Sequence, residues 1–264
     1  MRSCPGPAAL LILFVGYYYN SLADAEQAGF PVRLVTGPGA EPYVQESDLP
    51  HGGPLTKMVS EAFALAGYDS SITFLPWKRG LWQLKAGAYD ATFPYIATAE
   101  RQAALLFSNP IATVETRIFQ RSDGVPATSV QELIGQTFCL PLGYGVQAPL
   151  QALLEEERIR TEHARTLDSC FRMLQLGRVD FVPIDCRLGW YTIVNYRFDP
   201  ANFRDDFILT TDTLHLVVDR DQPKSSALLQ DFHKGWEQLK QSSDWEKLLQ
   251  GLSINIDNER HCQP

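Results

Sequence analysis

Leu84-Lys85-Ala86-Gly87-Ala88-Tyr89-Asp90 and Leu174-Gln175-Leu176-Gly177-Arg178-Val179-Asp180 repeat one phrase ninety residues apart, and each runs into a short apolar stretch that contains a proline. In both copies an amphipathic run (Trp77 to Lys85, Cys170 to Leu176) meets a glycine where a helix C-terminus favours a left-handed residue, and a strand-like segment follows. Two such helix-to-strand corners predict two α/β lobes, and a chain that builds two similar lobes often holds something between them. Asp90 and Asp180 fall at the turns, where capping or turn roles are expected.

The chain has 264 residues, 45% of them hydrophobic, which is enough for two lobes with their own cores. A formal net charge of −8, with no basic run, disfavours a nucleic-acid surface. Residues 1–25 read as a cleaved secretory signal: Arg2 comes early, an apolar stretch runs from Ala8 to Tyr19, and Ala23-Asp24-Ala25 offers the small residues of a signal-peptidase site. That stretch falls short of the roughly 20 residues a membrane helix needs, so an uncleaved anchor is the weaker reading. Cys4 precedes the apolar region, which does not support a lipoprotein. The expected location is periplasmic.

Cleavage after Ala25 leaves Cys139, Cys170, Cys186 and Cys262 in an oxidising compartment. Four cysteines allow three full connectivities, and the sequence does not choose among them. The preferred bridge joins Cys139 to Cys170, a strand to a neighbouring helix; free buried thiols are the alternative. Cys262 sits in a polar tail, residues 257–264, expected to be flexible.

Strands are predicted at Val32–Thr36, Ser71–Leu75, Ala91–Pro94, Thr116–Arg121, Thr137–Leu142, Phe181–Ile184 and Thr210–Val218, with a polar segment Thr98–Gln102 before Leu105–Ser108. Helices are predicted at Pro54–Ala66, Ala148–Arg158, Ser225–Lys240 and Asp244–Leu252. The β-α-β order argues for parallel pairing. Crossings between lobes are placed after Arg121 and within Thr210–Val218. The first lobe is therefore discontinuous, residues 26–120 plus 212–256, and the second comprises 121–211. Trp82, Trp236 and Trp245 are assigned to the core.

The sequence contains no G-x-S-x-G, H-E-x-x-H or P-loop motif and no tight Cys/His cluster, so neither a metal nor a cofactor is expected. Gly143-Tyr144-Gly145 lacks the third glycine of a dinucleotide fingerprint; it reads either as a turn whose N–H groups face an anion or as an ordinary strand-to-helix turn. In Phe93-Pro94-Tyr95-Ile96-Ala97-Thr98-Ala99-Glu100-Arg101, a strand end is followed by Thr-x-x-Arg. That order puts a hydroxyl and a guanidinium at the C-terminal edge of a parallel sheet, where a fork can grip a carboxylate. A surface arginine is the alternative. Asp185 ends the matching strand of the second lobe; it reads equally as a counter-charge for an ammonium group or as a helix N-cap. Tyr43, Trp77, Arg79, Tyr95 and Tyr144 fall at element ends, where such residues line clefts or pack in cores.

These segments together resemble the type II periplasmic solute-binding proteins, family 3, typified by binders of polar amino acids. The resemblance runs from Val32 to about Leu252. It is carried by LKAGAYDATFPYIATAERQAALLFSNPI at 84–111, LGRVDFVPID at 176–185 and LHLVVDRDQPKSSALLQDFHKGWEQLKQ at 214–241. It implies two α/β lobes, each a mainly parallel sheet flanked by helices, joined by two crossing strands and closing as a hinge over a solute. It further implies that Arg101 grips an α-carboxylate with help from backbone N–H groups near Ile96 and Gly145, and that Asp185 meets the α-ammonium. Thr98, Pro94, Tyr144, Trp77 and Tyr43 complete the expected site. Family members often carry small hydroxyl or glycine residues where this chain has Phe93-Pro94-Tyr95. Its Pro76-Trp77-Lys78-Arg79 run is similar to a less characterised branch. The expected function is periplasmic capture of a small, amino-acid-like solute by a monomer that delivers it to a membrane transporter permease. A cyclohexadienyl dehydratase-like enzyme, with Asp185 as the acid, and a soluble partner of a sensory receptor are the alternatives.

Overall fold

The two glycine corners fold alike. In the computed structural model, which describes residues 31–46, 52–252 and 262, Gly87 has φ 75° and Gly177 φ 66°. These are left-handed values that a residue with a Cβ adopts at a cost. Each glycine reverses the chain after a helix, so that the Ala88 N–H donates to the Gln83 carbonyl (3.0 Å) and the Arg178 N–H to Met173 (2.9 Å). Asp90 then exchanges backbone and carboxylate hydrogen bonds with Arg33, and Asp180 does the same with Thr137, at 2.7–2.8 Å. Each aspartate thus stitches its outgoing strand to the start of the strand it lies beside.

Around these corners the elements form two halves. β1 (Val32–Thr36) pairs in parallel with β2 (Ser70–Phe74) and β3 (Ala91–Ile96), with α1 (Pro54–Leu65) and α2 (Trp77–Lys85) as crossovers. After α3 (Ala99–Ala104) come β4 (Leu105–Phe107) and the long β5 (Ala112–Arg121). The second half holds the parallel pair β6 (Thr137–Pro141) and β7 (Arg160–Ala164), α4 (Ala148–Glu155), α5 (Leu167–Gln175), β8 (Val182–Asp185) and α6 (Cys186–Asn195). β9 (Phe203–Asp219) returns to the first half, which α7 (Ser225–Lys240) and α8 (Trp245–Leu252) complete.

β5 and β9 pair antiparallel from Ala112↔Leu214 to Arg121↔Phe203 and are shared by both halves. At one end Val114 and Leu214 pack in a core with Leu34, Phe63, Phe232 and Trp236; at the other Phe119 and Phe203 pack with Phe171 and Trp190. Ile118 joins a further cluster with Phe138, Leu150 and Phe181. Each fully buried side chain of this size contributes about 1.5–3 kcal/mol over an exposed one. The architecture is the two-lobed α/β type with two crossing strands, as the resemblance implied, but the first crossing, expected after Arg121, lies within β5, since Val114 packs in the first core and Phe119 in the second.

Some expectations hold and others are corrected. Trp82 is 68% exposed and not in the core: α2 buries Gly80 and Leu84, and Trp82 lies on the opposite face. Trp236 is buried, and Trp245 packs partly buried against the first core. Cys139 and Cys170 form a disulfide with Cα atoms 5.4 Å apart. Cys262, expected in a flexible tail, is bonded to Cys186 at a Cα separation of 5.8 Å, so the tail is anchored at that residue. The rest of the tail and the expected signal segment 1–25 lie outside the described residues. No helix among the described residues is long and apolar enough to cross a membrane.

Candidate functional site

The two halves meet over a cleft lined by the ends of β1, β3, β6 and β8 and the loops that follow them. β3 ends at Ile96, and Thr98 caps α3 by accepting the Arg101 N–H on its hydroxyl (3.3 Å). The cap fixes the first turn, and the turn points Arg101 inward. Its Nη1 donates to the Ile96 carbonyl (3.1 Å), while Nη2 donates across the cleft to the Gly143 carbonyl (2.9 Å). The guanidinium carbon sits 4.6 Å from the centre of the Tyr95 ring, a cation–π contact. Burial lowers the arginine pKa from its ordinary value, yet a guanidinium stays charged. Two of its five N–H groups are spent on these carbonyls.

Opposite lies the loop between β6 and α4. Gly143 has φ 92°, and a Cβ there would fall 2.7 Å from Trp77 Cβ, so the close approach of the two halves requires a glycine. Gly145 lies against Thr98 and Arg101. No hydrogen bond among the described residues uses its N–H.

β8 ends at Asp185, which caps α6: its Oδ1 accepts the Leu188 N–H (3.0 Å) and the Tyr43 hydroxyl (2.9 Å). Burial pushes this carboxyl up to about 6, against the pull of those donors and of Arg187. Of the two readings of Asp185, the helix N-cap is the one seen here, with the side chain accepting the Leu188 N–H.

The remaining wall is aromatic and apolar. Trp77 stands edge-on to Tyr95 (5.6 Å) and Tyr144 (6.2 Å), and its indole N–H donates to the Pro38 carbonyl (3.0 Å). The Tyr144 hydroxyl crosses to the Gly39 carbonyl (2.7 Å), and burial pushes its pKa up. Pro94, Ala40, Leu140, Pro183 and Leu188 fill in between.

Of the residues expected at the site, Tyr43, Trp77, Pro94, Ile96, Arg101, Tyr144, Gly145 and Asp185 all line this one cleft, with Thr98 behind Arg101. Ile96 contributes its carbonyl to Arg101. Arg79 is exposed. Thr116 and Gln147 also line the cleft and escaped the sequence reading. Thr116 sits in mid-strand and Gln147 in a loop, and neither position carries a motif.

No curated protein matches this chain at a significant level. Among solved structures, a histidine kinase sensor domain with similarity to periplasmic binding proteins superposes with TM-score 0.74 at 18% identity, covering 86% of this chain and 98% of that one. An ancestral arginine-binding protein bound to arginine superposes at 0.70 and 16% identity, covering 84% and 98%. A substrate-binding protein of an amino acid ABC transporter from Streptococcus pneumoniae, bound to L-arginine, superposes at 0.66 and 16%, covering 87% and 96%. At such identities the likeness shows the shared two-lobed type II periplasmic-binding fold. The family model for bacterial extracellular solute-binding proteins, family 3, matches residues 32–251, and the chain belongs to that family.

Proposed function

We propose that this protein captures a small amino-acid-like solute by closing its lobes and delivers it, as a periplasmic monomer, to the permease of an ABC-type transporter. The observation that carries the reading is Arg101 reaching from β3–α3 to the Gly143 carbonyl, beside Gly145 and across the cleft from Asp185. A fork for a carboxylate and a carboxylate for an ammonium are complementary to a zwitterion, and both act together only when the lobes are closed. In this reading the lobes are residues 26–120 plus 212–256 and 121–211, and Thr98, Ile96, Tyr144, Pro94, Trp77 and Tyr43 shape the site. The amino acids bound in the similar structures support it.

The test is isothermal titration of the mature protein with the common amino acids and small carboxylates, repeated with Arg101→Ala. Binding weakened at least about 100-fold by the substitution, the loss of a charged, bidentate contact, is the expected result. Absence of binding by every solute, or indifference to Arg101→Ala, would defeat the proposal.

Asp185, with a carboxyl near 6, also has the protonation range of a general acid. That favours the dehydratase-like alternative as the second reading. Turnover of prephenate or arogenate abolished by Asp185→Asn would establish it. Delivery to a receptor is the third reading, supported by the fold shared with a sensor domain.

A further inference from the structure

Gln147 ends the loop before α4 and is 8% exposed, and its side chain lines the cleft. Its Nε2 donates to the Thr116 hydroxyl (3.3 Å), and that hydroxyl donates to Asp212 Oδ2 (3.1 Å). A hydroxyl has one proton to give. With that proton on Asp212, Thr116 is left to accept from Gln147, which fixes the orientation of the amide. The Oε1 atom is then buried with no hydrogen-bond partner in the protein. Leaving such an acceptor unmatched costs about 1–3 kcal/mol, so its position in a cleft wall calls for a donor from outside.

The other polar side chains of the wall are already engaged. The Tyr43 hydroxyl is held by Asp185, that of Tyr144 by the Gly39 carbonyl, that of Tyr95 by the Thr92 side chain, and the Trp77 N–H by the Pro38 carbonyl. Arg101 and Asp185 are the charged side chains lining the cleft, and the proposed function gives both to the solute's main-chain groups. The wall is therefore apolar and aromatic surface with one amide, that of Gln147, whose buried oxygen is unmatched.

We infer that the solute is an amino acid whose side chain is uncharged and ends in a hydrogen-bond donor, a hydroxyl, amide or ring N–H, received by Gln147 Oε1. This rests on the amino-acid reading above and narrows it. A charged side chain would enter this wall with no opposite charge to meet it, at a desolvation cost that a neutral one avoids.

The experiment is calorimetric titration of the mature protein with matched pairs (tyrosine and phenylalanine, glutamine and methionine, threonine and valine) together with arginine and glutamate. The donor-bearing member of at least one pair is expected to bind at least about tenfold tighter than its partner, one charge-free hydrogen bond's worth. Gln147→Leu should erase that preference, lowering the affinity for the donor-bearing member about tenfold relative to its apolar partner. Gln147→Asn, which retracts the oxygen without adding an apolar group, should also erase it. Arginine or glutamate binding tighter than every neutral solute, or equal losses for both members of a pair on substitution, would overturn the inference while leaving the amino-acid reading intact. No binding by any amino acid would sink that reading, and this inference with it.

Discussion

The Tyr43 hydroxyl donates a 2.9 Å hydrogen bond to the Asp185 carboxylate, and the two residues belong to opposite lobes: Tyr43 to the β1–α1 loop, Asp185 to the end of β8. This contact closes the cleft at the group proposed to meet the solute's ammonium. It ties lobe closure to the state of Asp185. A hydrogen bond to a charged group is worth about 1.5–3 kcal/mol, so Tyr43→Phe should weaken solute binding by roughly tenfold or more. Small-angle scattering of the unliganded variant should show a larger radius of gyration than the parent. An unchanged radius and affinity would mean the contact contributes nothing to closure.

Solute affinity should rise with pH between about 5 and 7. Burial raises the Asp185 carboxyl from its ordinary 3.8 to about 6, with Tyr43, Arg187 and the Leu188 N–H acting in the opposite sense and the Tyr144 hydroxyl as the other titratable group facing it. In acid the side chain is neutral and meets an ammonium poorly; above its pKa it carries the charge the ammonium needs. Stability runs the other way. The folded state holds this proton more tightly than the unfolded chain, so the contribution of Asp185 to stability is greatest below about 4 and declines as pH rises to about 6. Asp185→Asn should flatten both profiles, read by calorimetry and by thermal melting at each pH. Affinity that is flat or higher at pH 5 in the parent would count against Asp185 as the ammonium partner.

The corners at Gly87 and Gly177 were legible because a positive φ selects glycine and leaves a mark in sequence; strand order put Arg101 and Asp185 at strand ends, and the resemblance to the family supplied the rest of the expected site. β7 was not legible, since Arg160–Ala164 is largely exposed and shows no apolar alternation. The helix Cys186–Asn195 was missed because its β-branched and aromatic residues favour a helix only once Leu188, Trp190 and Ile193 have a core to enter. Trp82 was misplaced for the converse reason: a short helix that buries Gly80 leaves a tryptophan outside. Gln147 and Thr116 join the cleft through the hinge strands and the loop before α4, a proximity that sequence spacing does not carry.

Gly143→Ala should separate binding from folding. The added Cβ would fall 2.7 Å from Trp77 Cβ and 3.0 Å from the Lys78 nitrogen, both on the opposite lobe, and the left-handed φ adds local strain. Opening the lobes relieves the clash, so the cost falls on the closed state. Affinity should drop at least about tenfold, while the melting temperature without solute falls by only a few degrees, as for an exposed backbone change of about 1 kcal/mol. A large loss of melting temperature with affinity intact in the remaining folded protein would contradict this.

The two disulfides should differ in kind. Cys139–Cys170 joins β6 to α5 inside one lobe, 31 residues apart, whereas Cys186–Cys262 spans 76 residues and fastens the chain beyond α8 to the first residue of α6. α8 packs in the first lobe through Leu248, and α6 carries Asp185 as its cap, so the second bridge links one lobe to the root of the other lobe's cleft residue. Removing either by paired serine substitution should cost about 2–4 kcal/mol of stability. Cys139→Ser with Cys170→Ser should leave solute affinity unchanged. Cys186→Ser with Cys262→Ser should change it as well, because α6 and Asp185 lose their tether to the opposite lobe. Denaturant unfolding and calorimetry on the two variants side by side decide the matter, and equal, null effects on affinity would reduce the second bridge to a staple for stability alone.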